Sequence, residues 1–501
     1  MAAVQARRLG LTVTLLNPAQ HVGGMTTGGL GFTDFGNKAA VGGLAREFYR
    51  RLGRHYGKDE EWCFEPQVAE SVLAGFLDEA GLTVHAGQYV ASAEVTLDAM
   101  GAPRLVAIVT TSQLRVRAAY FIDCSYEGDL LAVGGVRYKV GRESAAEFGE
   151  SFNGQQVTAT HQFDQPVDPY VVPGKPSSGL LPGIDPDPFF IPGTGDRRVQ
   201  AYNFRVCMTK RPELRVPFPK PAAYDRQTYE LLARYLTTDG HWRGVRKVAR
   251  IPGGQTDSKK HGAFFNHFLR GSWAWPEADF AMREKLFQQH VTYQQGLHWF
   301  MANDRAVPAP IRLAYGEWGL SSDEFTAAGY WPHQLYVREA RRLNGPLIMT
   351  QRHCIGQETV EDAIGLGAYN MDSHNCRRFI HHGCVLNEGD VQVRLARPYG
   401  VSYRSIIPHQ KECANLLVPV CVSASHIAYG SIRMEPLFMV LAQSAATAAA
   451  LALRDGCRAV QALSYEKLRA QLLKDGQVLA LGSEQLNPAS GNEPLKHEAS
   501  P

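Results

Sequence analysis

Met1-Ala-Ala-Val-Gln-Ala-Arg-Arg-Leu-Gly10 runs into Leu11-Thr-Val-Thr-Leu-Leu16, and Gly23-Gly-Met-Thr-Thr-Gly-Gly-Leu-Gly31 follows within a few residues. The first stretch reads as the end of an amphipathic helix closed by a glycine. The second is a short apolar, β-rich strand. The third holds five glycines in nine residues. Helix, buried strand and glycine loop are the second half of a dinucleotide-binding βαβ unit. A strand and a G-x-G-x-x-G turn are expected ahead of them, to hold a pyrophosphate at the helix N-terminus. Met1 falls where that helix is already running, without an N-cap, so the expectation is a chain truncated at its N-terminus.

Composition bounds the rest. At 501 residues the chain exceeds one ordinary core, which predicts two closely joined domains. A formal charge of +3 is too small to point to nucleic acid or a membrane surface. The nine cysteines include no C-x-x-C pair, which suits reduced thiols in the cytoplasm. Met439 to Leu453 is too short and alanine-rich for a membrane span and reads as a buried helix.

The periodicity predicts helices at Gly43–Gly57, Glu65–Ala80 and Ala278–Asn303, and a helix start at Gln334–Leu343. Strands are expected at Leu82–His85, Val90–Leu97, Leu105–Thr110 and Leu114–Ile122. Val167 to Gly195, dense in proline and glycine, predicts a surface excursion, and the polar tail after Gly482 predicts disorder.

Four longer stretches converge: Tyr120-Phe-Ile-Asp-Cys-Ser-Tyr-Glu-Gly-Asp129, Trp331–Gly345, Asn415–His426 and Ile427-Ala-Tyr-Gly-Ser-Ile-Arg-Met-Glu-Pro436. Together they resemble the FAD-dependent oxidoreductases of the heterodisulfide reductase A-like kind, over roughly Met1 to Leu453. The resemblance implies an α/β fold, in which a doubly wound, Rossmann-like FAD domain lacking its first strand carries an inserted α+β domain. The divisions it implies are 1–136 and 344–455 for the FAD domain, 137–343 for the insert, and 456–501 for a helical end and tail. It implies FAD contacts from Gly23, Gly24, Met25, Thr26, Gly28 and Gly29, from Asp123, Gly128 and Asp129, and from Gly430, Ser431, Ile432 and Arg433. Asn17 stands where the family usually has an acidic residue for the ribose hydroxyls.

The function implied is hydride transfer between a small organic substrate and flavin N5. Arg433 would neutralise the reduced ring, and His426 would take a substrate proton, with His333 as its substitute. A non-catalytic or electron-relay protein serving a redox partner is the alternative. A 4Fe–4S cluster, which some relatives carry, needs grouped cysteines, and Cys354, Cys376, Cys384, Cys413 and Cys421 are not so grouped. His374–Cys384 has ligand residue types without zinc spacing, so no metal is expected.

Overall fold

The computed structural model describes residues 1–98, 101–236, 247–259, 262–264, 266–482 and 485. The expected tail falls almost wholly outside them.

Both chain ends build one core. The helix Ala2–Arg8 lies on the long helix Glu435–Arg454, and the Gln5 amide donates to Thr447 Oγ1 at 3.0 Å. Around them pack Phe48, Leu52 and Phe76 from the helices Gly43–His55 and Pro66–Glu79, with Met349, Ile427 and Leu441. Glu435–Arg454 is apolar and long enough to cross a membrane, but 94% of its most apolar window is buried in this core. Two further apolar clusters come from the middle of the chain. One gathers Val199, Phe204, Leu286 and Trp331, the other Phe163, Leu232 and Phe300.

The helix expected at Ala278–Asn303 spans Phe280–Asn303, and the Asp279 side chain caps it by accepting from the Met282 N–H at 2.7 Å. A five-stranded antiparallel sheet stands beside it, with Cys207–Thr209 at its centre.

Three expectations need correction. The doubly wound sheet is present as two separate parallel pairs among the described residues. Leu15–Leu16 pairs with Val84–His85, and Phe121–Ile122 with Leu416–Leu417. Each pair is two residues long because the chain turns at once. Asn17 donates its side-chain N–H groups to Ala19 O and His21 O, and Asp123 accepts from Ser125 N. The run Leu114–Ile122 divides between two sheets, as Arg115–Arg117 joins an antiparallel meander with Val90–Leu97 and Pro103–Thr110. Gln334–Leu343 is extended rather than helical. Residues 335–343 are all buried, and most of their side-chain hydrogen bonds go to other segments, so tertiary partners override helical propensity. At its end Arg342–Leu343 pairs antiparallel with Tyr138–Lys139, so the two ends of the 137–343 stretch lie side by side.

Close backbone approach fixes the helix His426–Ile432. A Cβ added at Gly430 would meet Asp372 O at 2.7 Å, with the Asp372 backbone C and N at 3.1 Å. Gly75, inside Pro66–Glu79, has nothing within 4 Å. Gly430→Ala is therefore expected to destabilise the fold by roughly 1–3 kcal/mol, and Gly75→Ala to stabilise it by about 0.5–1 kcal/mol. Urea unfolding of the two variants checks both signs.

Candidate functional site

The glycine segment begins with Gly23 in the left-handed region (φ 104°) and a single turn over Gly24–Thr26. Its polar contacts gather on one carboxyl group. The Met25 N–H donates to Tyr126 Oη at 2.9 Å, and Tyr126 Oη donates to Glu435 Oε1 at 2.7 Å. Thr26 Oγ1 donates to Glu435 Oε2 at 3.1 Å. Glu435 opens the long helix Glu435–Arg454, so this carboxyl ties the glycine loop, the turn after Phe121–Ile122 and that helix together. Burial raises it to about 7.

Protein rather than open space meets several of these glycines. A Cβ on Gly28 would lie 2.3 Å from Gln334 Cβ, and one on Gly29 (φ 117°) 2.0 Å from Arg205 O. On Gly24 it would lie 2.2 Å from Tyr126 Oη. The loop is thus shaped by the middle segment pressing on it.

Asp123 is buried, accepting from Ser125 N, Ser125 Oγ and Leu130 N, so it caps the turn that leads through left-handed Gly128. Asp129 holds two arginines of the middle segment. Arg283 grips it with two N–H groups at 2.6 and 2.8 Å, and Arg341 donates at 2.7 Å. His333 stacks on His21 with ring centroids 4.1 Å apart, and burial, with His21 nearby, lowers it to about 4. It is therefore a neutral ring at physiological pH.

His426 is 1% exposed and held at both ring nitrogens. Nδ1 faces Glu339 Oε2 at 2.7 Å and Nε2 faces Ser373 Oγ at 3.0 Å. Its backbone N–H donates to Glu143. Although burial opposes ionisation, His426 and Arg342 hold the Glu339 carboxylate below its usual range.

Gly430, Ser431 and Ile432 lie inside the helix His426–Ile432, whose C-cap is Arg433, and the long helix starts at Glu435. Residues 430–433 therefore lie at the end of one helix and not at the start of another. The Arg433 N–H donates to Tyr429 O. Ser431 Oγ donates to Tyr369 O, and Ile432 is core.

The Arg433 side chain reaches a second polar centre. Its Nη1 donates to Tyr336 Oη at 3.1 Å, and Nη2 donates to Asp372 O at 3.0 Å and faces Asp372 Oδ2 at 3.3 Å. Arg338 lies over the same Tyr336 ring, 4.1 Å from its centroid. His374 faces Asp372 Oδ2 at 3.5 Å and stands 4.8 Å from His267, ring to ring. Tyr336, Arg338 and Arg433 are each no more than 6% exposed.

The sequence marked His426, Arg433 and the glycines, but not Asp372, Glu339 or the hub at Glu435. Asp372 and Glu339 carry no periodic signal, because their importance comes from strands that meet only in the fold. Glu435 has a sequence signal, an acid with proline next to it at a helix start. Among the described residues, no cluster of three or more His, Cys, Asp or Glu side chains could hold a metal.

The chain belongs to the FAD-dependent oxidoreductase family, which it matches over residues 1–472. That membership implies a Rossmann-like FAD-binding fold and flavin redox chemistry. No curated protein matches it significantly. Among solved structures, the crystal structure of AlpK shares 16% identity at a TM-score of 0.21, covering 29% of this chain and 32% of that one. The crystal structure of Thermovibrio ammonificans THI4 shares 19% at 0.22, covering 30% and 65%. The chain thus spans a third of the first and just under two thirds of the second. Likenesses this weak bear on neither fold nor function.

The Glu435 carboxyl gives a pH test. Its folded value of about 7 lies above the 4.5 of an ordinary glutamate. The folded state therefore keeps the proton while the unfolded state loses it, so stability falls as pH rises through that window. Glu435→Gln should flatten this fall. Melting temperatures between pH 4.5 and 8 in both proteins check it, and parallel curves would remove Glu435 from the account.

Proposed function

We propose that the chain is a flavoenzyme that oxidises or reduces a small organic substrate in a closed site formed where the 334–343 segment meets both chain ends. The observation that carries this reading is the buried cluster of Tyr336, Arg433 and Asp372. It joins the middle segment to the stretch 424–436, whose sequence, with 120–129, resembles heterodisulfide reductase A-like flavoproteins.

The residues present fit FAD. Cys124 is exposed just past the strand Phe121–Ile122. It stands beyond the carboxyl end of a parallel strand, where dinucleotides bind in this class. Asn17, at the end of Leu15–Leu16, uses its N–H groups internally, which leaves Oδ1 to accept from a ribose hydroxyl. Gly23, Gly24, Met25 and Thr26 would line the approach to the ring. Bound FAD supplies N5 as a two-electron hydride acceptor or donor.

The chain's own residues do the rest. Arg433 supplies positive charge where negative charge develops, and its two hydrogen-bonded contacts hold it rigid. His374, beside Asp372, is placed to take or return a substrate proton, while His426 fixes the loop through Ser373 and Glu339. Burial of Tyr336 and Arg433 favours a closed reaction site over an exposed edge that serves an electron-transfer partner.

The purified protein saturated with FAD is expected to retain about one flavin per chain and melt at a higher temperature. Failure to retain any flavin would sink the reading. In the flavin-loaded protein, Arg433→Ala should lower the flavin potential and slow reduction by roughly 10²–10³-fold, with partial recovery in Arg433→Lys. Stopped-flow reduction and a potentiometric titration measure the two effects, and unchanged values would clear Arg433 of this role.

A further inference from the structure

Most buried arginines in this protein have a carboxylate. Arg142 has Asp196 and Glu388, Arg283 and Arg341 share Asp129, Arg342 has Glu143 and Glu339, and Arg433 has Asp372. Arg338 is 3% exposed and its partners are all uncharged. Nε donates to Ala201 O at 3.0 Å, Nη2 donates to Asn203 Oδ1 at 2.6 Å, and Nη2 lies 3.0 Å from His267 Nε2. Among the described residues no carboxylate pairs with it, and its Nη1 makes no hydrogen bond.

A buried guanidinium without a counter-ion is costly. Desolvation lowers Arg338 to about 9, Tyr336 and Asp372 oppose that fall, and Arg433 and Arg205 add to it. Arg378 is also buried without a carboxylate, but it packs on the Phe163 and Phe264 rings of an apolar cluster and donates to Asn387 Oδ1 and Ala263 O. Arg338 instead meets the Tyr336 ring that Arg433 also approaches, with the two Cζ atoms 4.1 and 5.9 Å from its centroid. Arg433 Nε is buried and has no partner. Two unused guanidinium donors therefore belong to one small centre.

We propose that this centre binds a carboxylate group of the substrate, with Arg338 as its principal partner and Arg433 Nε as the second donor. Asp372 already pairs with Arg433, which leaves Arg338 as the guanidinium of this centre without a charged partner. The planar fork of the guanidinium suits the two oxygens of a carboxylate. Only the word substrate rests on the flavoenzyme reading, since the anion site itself follows from the arginines.

Isothermal calorimetry with succinate, its neutral diamide and inorganic phosphate tests this on the full-length protein, with flavin content measured separately. Succinate should bind wild-type protein and the diamide should not. Arg338→Gln should weaken succinate about 30-fold or more, and Arg338→Lys should recover part of the loss. Asn203→Ala, which removes one acceptor of Arg338 and leaves its charge in place, should give a smaller loss and serves if Arg338→Gln does not fold. The proposal is overturned if succinate fails to bind, if the diamide binds equally, if phosphate binds more tightly, or if the variants bind succinate as wild type does. Succinate binding to a protein that retains no flavin would keep the anion site and overturn the flavoenzyme reading. Flavin retention without succinate binding would do the reverse.

Discussion

The Glu339 carboxylate is 0% exposed, and the rest of the site hangs on how it is satisfied. One oxygen meets Arg342 Nε at 3.0 Å, and the other meets His426 Nδ1 at 2.7 Å and the Gln200 amide at 3.0 Å. Arg342 in turn bonds Glu143, Gly141 O and Ala424 O. Removing one member of such a buried charge network leaves the others uncompensated, which typically costs about 3–5 kcal/mol. That penalty holds the 334–343 segment extended and locks the loop before His426 against it.

Pinning the segment at Glu339 and Arg342 aims its other residues. Arg341 goes to Asp129, at the turn after Phe121–Ile122, and Tyr336 and Arg338 go to Arg433 and Asn203. The backbone adds to this, as the Tyr336 N–H donates to Asn203 O and the Leu343 N–H to Cys421 O. A helix here would satisfy its N–H groups internally and could not reach these partners on both sides. The extended form is what lets one short stretch serve two cores at once.

The same stretch explains why the glycine loop is so rich in glycine. Gln334 Cβ and Arg205 O press on it where any side chain would collide, while Glu435 and Tyr126 hold it from the other side. The loop is therefore clamped between the middle segment and the helix Glu435–Arg454. Its geometry reports on their packing as well as on any dinucleotide.

Local signals in the sequence determined the elements whose stability is local. These include the amphipathic helices Gly43–His55 and Pro66–Glu79, the capped helix Phe280–Asn303 and the buried alanine-rich helix. They also determined the family, because its longer motifs lie in continuous stretches. Tertiary structure alone decided the rest. Arg338, Arg341 and Arg342 at near-helical spacing look like one face of a helix, yet each bonds a different distant partner. His426 reads as a base in sequence and is found with both nitrogens occupied. The physical reason is the same for both. A buried charge or imidazole takes its role from the groups opposite it, and those groups lie tens to hundreds of residues away in the chain.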